Sequence, residues 1–159
     1  MYRKPMFKRQ SGSHRRTLQK RQDIERGTAA SRGYGYQWQQ YRERFVQEHP
    51  YCIACTQNPS ETDVIDHILP VRQSDSDSAT GVADPLFFAR WNHQPLCRHH
   101  HSQKTKQHDQ RLASIRDQVV QDLEIDADDS DHFIRFRLLS MIGLWTEWID
   151  LETGEVYKS

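Results

Sequence analysis

The chain is poor in apolar residues, cysteine and glycine, and each shortage narrows what it can be. Only 35% of its 159 residues are hydrophobic, which supports one modest core and not two independent large ones. No apolar run is long enough to span a bilayer, and the basic N-terminus lacks the apolar stretch of a secretory signal, so a soluble protein of the cytoplasm is expected. There are three cysteines. An odd number at short spacings argues against a disulfide scaffold and for metal binding in a reducing compartment. Net charge is also absent, with 22 basic residues against 22 acidic ones, but the charges are not mixed. Residues 1–48 carry 12 Lys and Arg against 4 Asp and Glu, whereas residues 121–159 carry 3 against 10. The first 30 residues, with Arg15-Arg16 among their basic pairs and Ser, Gln and Gly between, cannot bury enough apolar surface to fold alone. A disordered arm suited to phosphate is expected there, the alternative being a merely solvating tail.

What is present sits in the middle of the chain. Cys52-x-x-Cys55 and Cys97-x-x-His100 are two knuckles separated by enough residues for a hairpin. Together they offer four soft or borderline donors for a closed tetrahedral zinc site. His99 stands beside the fourth donor and could compete for its place. Between and just after the knuckles lie Asp66-His67, Asn92 and His101, with Lys104 three residues further on. A structural zinc needs none of these. If a helix begins near His99, the side chains of His100 and His101 are rotated by about 100° from one another and can serve different metals.

The order Cys52-x-x-Cys55, Asp66-His67, Asn92, Cys97-x-x-His100-His101-x-x-Lys104 resembles the zinc-stapled branch of the HNH endonuclease family over about residues 31–105. His67, Asn92 and His101 stand at the namesake positions, and the flanking words Val64-Ile65-Asp66-His67-Ile68-Leu69-Pro70 and Trp91-Asn92-His93-Gln94-Pro95-Leu96-Cys97 match as well. One departure is His100, where the family commonly has cysteine. The segment Arg32-Gly33-Tyr34-Gly35-Tyr36-x-Trp38 looks like the lead-in of small HNH proteins of tailed phages, often encoded beside DNA-packaging genes.

The resemblance implies an α+β protein with a small ββα-metal core, stapled by structural zinc (Zn2+) and flanked by helices. It implies a metal-dependent DNA endonuclease, with DNA as substrate, Mg2+ or another divalent cation as catalytic cofactor, and phage terminase subunits as partners. In that frame His67 is the base that activates water, and Asp66 and His101 hold the catalytic cation through a hard oxygen and an imidazole nitrogen. Asn92 orients the base and pins the loop through its amide. Lys104, Arg72, Arg15 and Arg16 are the candidate contacts to the DNA backbone. The alternatives are a restriction or homing nuclease, and, in a different class, a non-catalytic zinc module that binds DNA or protein.

Periodicity places these residues on elements. Trp38, Tyr41 and Phe45 recur as one helical stripe stopped by His49-Pro50. Val64 to Val71 reads as a short strand broken by Pro70, and Arg72 to Asp84 as a mobile Ser/Asp/Gly-rich loop. Pro85 to Trp91 is predicted as a helical turn, with Leu86, Phe87, Phe88 and Trp91 beneath the site. A helix is expected from His99 to His108, another through Leu112, Ile115, Val119 and Leu123, and a third from Phe133 to Leu144 capped at Asp129 or Ser130. Trp145 to Tyr157 reads as a hairpin. Domain limits are placed at 1–30, 31–110 and 111–159, the last an acidic appendage.

Overall fold

A computed structural model describes residues 16–17, 20–21, 32–72 and 84–158. Arg15, most of the basic arm and loop residues 73–83, for which mobility is expected, lie outside them. Arg16, Thr17, Lys20 and Arg21 are exposed and helical in backbone.

The fold is α+β, mixing helices with two small antiparallel sheets. Helix α1 is Tyr36–Glu48, strand β1 Val64–His67, strand β2 His93–Leu96, helix α2 Arg98–Gln107, helix α3 Asp109–Asp122, helix α4 Asp131–Ile142, strand β3 Glu147–Ile149 and strand β4 Val156–Lys158. Two 3₁₀ turns, Pro85–Phe87 and Arg90–Asn92, lead into β2.

Register decides what the first hairpin displays. Asp66 pairs with Gln94 and His67 with His93. Side chains alternate across a pleated strand, so Asp66 and Gln94 share one face while His67 and His93 share the other. Helix α1 covers the histidine face, where Trp38 and Phe45 cluster with Ile65 and Phe87. Helix α2 and the C-terminal segment cover the carboxylate face. Pro95 is tolerated in β2 because the sheet has only two strands, so half of the ladder positions on β2 call for no amide toward a neighbouring strand.

The larger core runs without a break from the first knuckle to the last hairpin: Cys52, Ile53, Leu69, Leu96, Leu112, Leu138 and Trp148 belong to one buried cluster. Ile149 N–H also donates to the carbonyl of Ile53 at 2.9 Å. The division predicted at 110/111 therefore matches no break in packing, and it falls inside α3. Residues 111–159 are part of the same body, because short amphipathic helices of this kind gain most of their stability by docking.

Local signals account for the element ends. Ser130 caps α4, its hydroxyl accepting from Phe133 N–H at 3.2 Å, a contact of about 1 kcal/mol, and Gly143 closes the same helix in the left-handed region at φ 55°. Gly33 has φ 91°, and a Cβ there would come within 2.8 Å of the Phe87 ring. Only glycine suits both demands. Phe88 departs from expectation: it is 48% exposed, while Leu86, Phe87 and Trp91 are buried. A tight turn cannot send the three successive bulky side chains of residues 86–88 to one side.

Candidate functional site

The two knuckles meet. Ligand atoms of Cys52, Cys55, Cys97 and His100 all lie within 4.8 Å of one another, with His100 Nδ1 3.3 to 3.4 Å from each sulfur and Cys55 Sγ 3.9 Å from Cys97 Sγ. A tetrahedral zinc with bonds of about 2.0 to 2.3 Å needs ligands roughly 3.5 to 3.8 Å apart. The set fits zinc. Burial first, with the neighbouring Cys97 and Cys55 adding to it against two backbone hydrogen bonds, pushes the Cys52 thiol up to about 12, and a bound cation would favour the thiolate there. His99 is exposed and takes no part. The first knuckle is closed by Cys55 N–H donating to the Cys52 carbonyl at 3.2 Å, and the second sits on the first turn of α2.

On the carboxylate face, α2 brings His101 and Lys104 to Asp66. His101 Nε2 lies 3.6 Å from Asp66 Oδ1. Asp66 Oδ2 is taken by Lys104 Nζ at 3.0 Å and by Gln94 Nε2 at 2.9 Å. The lysine reading needs correction: Lys104 is 1% exposed. Besides Asp66, its ammonium reaches the His67 carbonyl at 2.9 Å and Asp109 Oδ1 at 2.6 Å. All three of its protons are thereby used, leaving none for a DNA phosphate. The i, i+3 spacing from His101 explains this, since it puts both side chains on the face that docks against the hairpin. His100, one residue earlier, turns to the thiols instead.

On the other face His67 is 8% exposed. Its ring stacks on Trp38, centroids 5.6 Å apart at 23°, and its Nε2 lies 3.1 Å from the Phe87 carbonyl. A carbonyl can only accept, so Nε2 carries the proton and Nδ1 keeps the lone pair. Burial lowers the His67 pKa, with the Phe87 carbonyl and Asp66 pulling it back in part. His93, unassigned from sequence, donates from Nε2 to the same carbonyl at 3.0 Å and takes the Tyr41 hydroxyl on Nδ1 at 2.6 Å. Asn92 is fully buried. Its Oδ1 accepts from Leu69 N–H at 2.8 Å, and its Nδ2 donates to the Leu69 and Leu86 carbonyls at 3.0 and 3.3 Å. The asparagine therefore pins the chain on both sides of the site. It touches His67 only indirectly, by fixing the residue before Phe87.

His93 supplies a pH test. Burial and then the neighbouring His67 lower its pKa from 6.5 to about 3. The folded value lies below the unfolded one, so the associated stability is fully present above about pH 6.5 and is lost as pH falls from there toward 3. Urea midpoints are expected to drop across that window. His93→Gln keeps a donor for Phe87 but cannot titrate, and its midpoint should fall less steeply with acid. An unchanged slope would mean that His93 does not take up the proton.

Of the remaining predicted DNA contacts, Arg15 lies outside the described residues. Arg16 is exposed. Arg72 is exposed but ion-paired with Asp117, and its backbone N–H is held by Asp84 Oδ2 at 2.6 Å. Asp84 Oδ1 in turn accepts from Leu86 N–H at 3.0 Å and from Arg116 at 2.6 Å, while Arg116 Nε reaches the Pro70 carbonyl at 3.2 Å. This clasp joins the two ends of loop 73–83. Among the described residues no helix is long and apolar enough to cross a membrane. No protein-family model, curated protein or solved structure matches the chain.

Proposed function

We propose that the protein is a metal-dependent DNA endonuclease of the HNH type, with β1, β2 and α2 as its ββα-metal core and a structural zinc in the Cys52, Cys55, Cys97 and His100 set. The observation that carries this reading is the pairing of Asp66 Oδ1 with His101 Nε2 at 3.6 Å, directly beside a chemically different Cys3His set. Two metal bonds of about 2.1 Å can bridge that separation. Asp66 Oδ1 also remains available because Lys104 and Gln94 both use Oδ2. The His101 side chain is 39% exposed, which leaves room for water and a phosphate on the solvent side.

A divalent cation held there would neutralise charge growing on the phosphate and the departing oxygen. The protein residues do the rest. His67, neutral and with its proton fixed on Nε2 by the Phe87 carbonyl, presents Nδ1 to take a proton from water. His67 is the last residue of β1, next in the chain to Asp66. Lys104 holds the strand end through the His67 carbonyl, and Asn92 fixes the loop that carries Phe87. DNA is the substrate and a packaging terminase the partner, on the strength of the motif and of the lead-in before α1.

Zinc-loaded protein is expected to nick or cut plasmid DNA in Mg2+, Mn2+ or Ni2+. Mild EDTA should stop cleavage before it unfolds the protein, and added Mg2+ should restore it. Asp66→Ala and His101→Ala should each fail to cleave yet retain one zinc per chain. A second reading, a non-catalytic zinc module, is favoured by the neutralisation of Asp66 by Lys104 and the burial of His67 beneath Trp38. Folded, zinc-loaded protein that cleaves in none of these metals would establish it in place of the nuclease.

A further inference from the structure

The hydrogen bonds at Asp66 do not end at the hairpin. Gln94 is fully buried. Its Nε2 donates to Asp66 Oδ2 at 2.9 Å, and its Oε1 accepts from Trp145 Nε1 at 3.1 Å. The direction of this relay is fixed by chemistry, because an indole N–H can only donate. It forces the amide oxygen of Gln94 toward the tryptophan and the amide hydrogens toward the carboxylate. Trp145 is itself buried, and its ring stands edge-on to His100, centroids 5.6 Å apart at 84°. One side chain from the segment after α4 therefore contacts a zinc-set histidine and, through one glutamine, the carboxylate of the other set.

We infer that Trp145 is a positioning residue for cation binding at Asp66 and His101. It orients Gln94, and Gln94 together with Lys104 holds Oδ2 so that Oδ1 stays turned to His101. A carboxylate tied at one oxygen by a single donor can rotate about its terminal bond; a second donor from a different direction removes that freedom. The inference rests on the proposed pairing of Asp66 with His101 around a divalent cation, and it extends that site to a residue outside the HNH-like segment. Partners behind metal ligands commonly set affinity by 10- to 100-fold, roughly the scale expected here.

Mn2+ is the probe, its binding to the zinc-loaded full chain read by loss of the free-ion paramagnetic resonance signal, independently of cleavage. Trp145→Phe keeps an aromatic ring against His100 and removes only the N–H donor. It should bind Mn2+ about 10-fold or more weakly while keeping one zinc per chain. Gln94→Leu should weaken Mn2+ to a similar degree, and adding Trp145→Phe to it should cause no further loss, since coupled residues are not additive. Wild-type Mn2+ affinity in zinc-retaining Trp145→Phe would overturn the inference, as would full additivity in the double variant. If Trp145→Phe sheds zinc, Gln94→Leu decides: unchanged Mn2+ binding there overturns the relay, and weakened binding supports it. Wild-type protein that binds no Mn2+ would overturn the cation pair itself. Wild-type protein that binds Mn2+ but cuts no DNA would sink the nuclease reading and leave the positioning role standing.

Discussion

His67→Gln is expected to lower plasmid cleavage by at least about 10²-fold, the contribution typical of a positioned general base, with zinc content unchanged. Glutamine is the better replacement because His67 is buried and stacked on Trp38. Alanine there would open a cavity and mix a loss of stability with a loss of chemistry. The glutamine amide can still donate to the Phe87 carbonyl, so the loop keeps its anchor while the proton-accepting Nδ1 disappears. The check is a time course on supercoiled DNA, with circular dichroism and zinc analysis on the same sample. Cleavage by His67→Gln within a few-fold of wild type would remove His67 from the mechanism.

Loss of a zinc ligand should have the larger structural effect. Cys97→Ser or Cys52→Ser is expected to leave no cooperative thermal transition and to yield aggregated or unfolded chain. Structural zinc sites supply apparent binding energies of about 10 to 16 kcal/mol in small domains, as much as or more than the roughly 5 to 15 kcal/mol by which whole proteins are stable. Here the site also fastens three parts of one core: the first knuckle, the start of α2 and, through Trp145 against His100, the C-terminal segment. A folded, zinc-free serine variant that melts like the wild type would show that packing alone holds the knuckles together.

Part of the site was legible because its residues come in short motifs whose internal spacings have a geometric meaning. Two residues between knuckle ligands, and the 100° step from His100 to His101 on a helix, were enough to divide the histidines between the thiols and Asp66. Helix α4 was readable from the capping residues before it, although the expected end at Leu144 overran the stop at Gly143. Lys104 was misplaced for a definite reason: a lysine one turn after a ligand is as compatible with docking as with solvent, and only the packing of α2 on the hairpin decides. The roles of Tyr41, His93, Gln94 and Trp145 were not legible. Each depends on a partner about 28 to 52 positions away, and no local pattern marks a long-range hydrogen bond. The way residues 111–159 join the core was not legible either, since their acidic surface says nothing about which faces they bury.

The clasp of Arg72, Asp84 and Arg116 makes the chain between them a place where length is cheap. Its ends are fixed to one another and to the core at Pro70 and Leu86, so a longer excursion starts and finishes on the same footing whatever it contains. Loop closure grows only logarithmically, each doubling costing about 0.6 kcal/mol. A whole recognition element could be grafted there without disturbing either ligand set. Under the proposed nuclease function, diversification of DNA preference would be separable from both ligand sets, and that segment is where a lineage of such proteins would be expected to vary most.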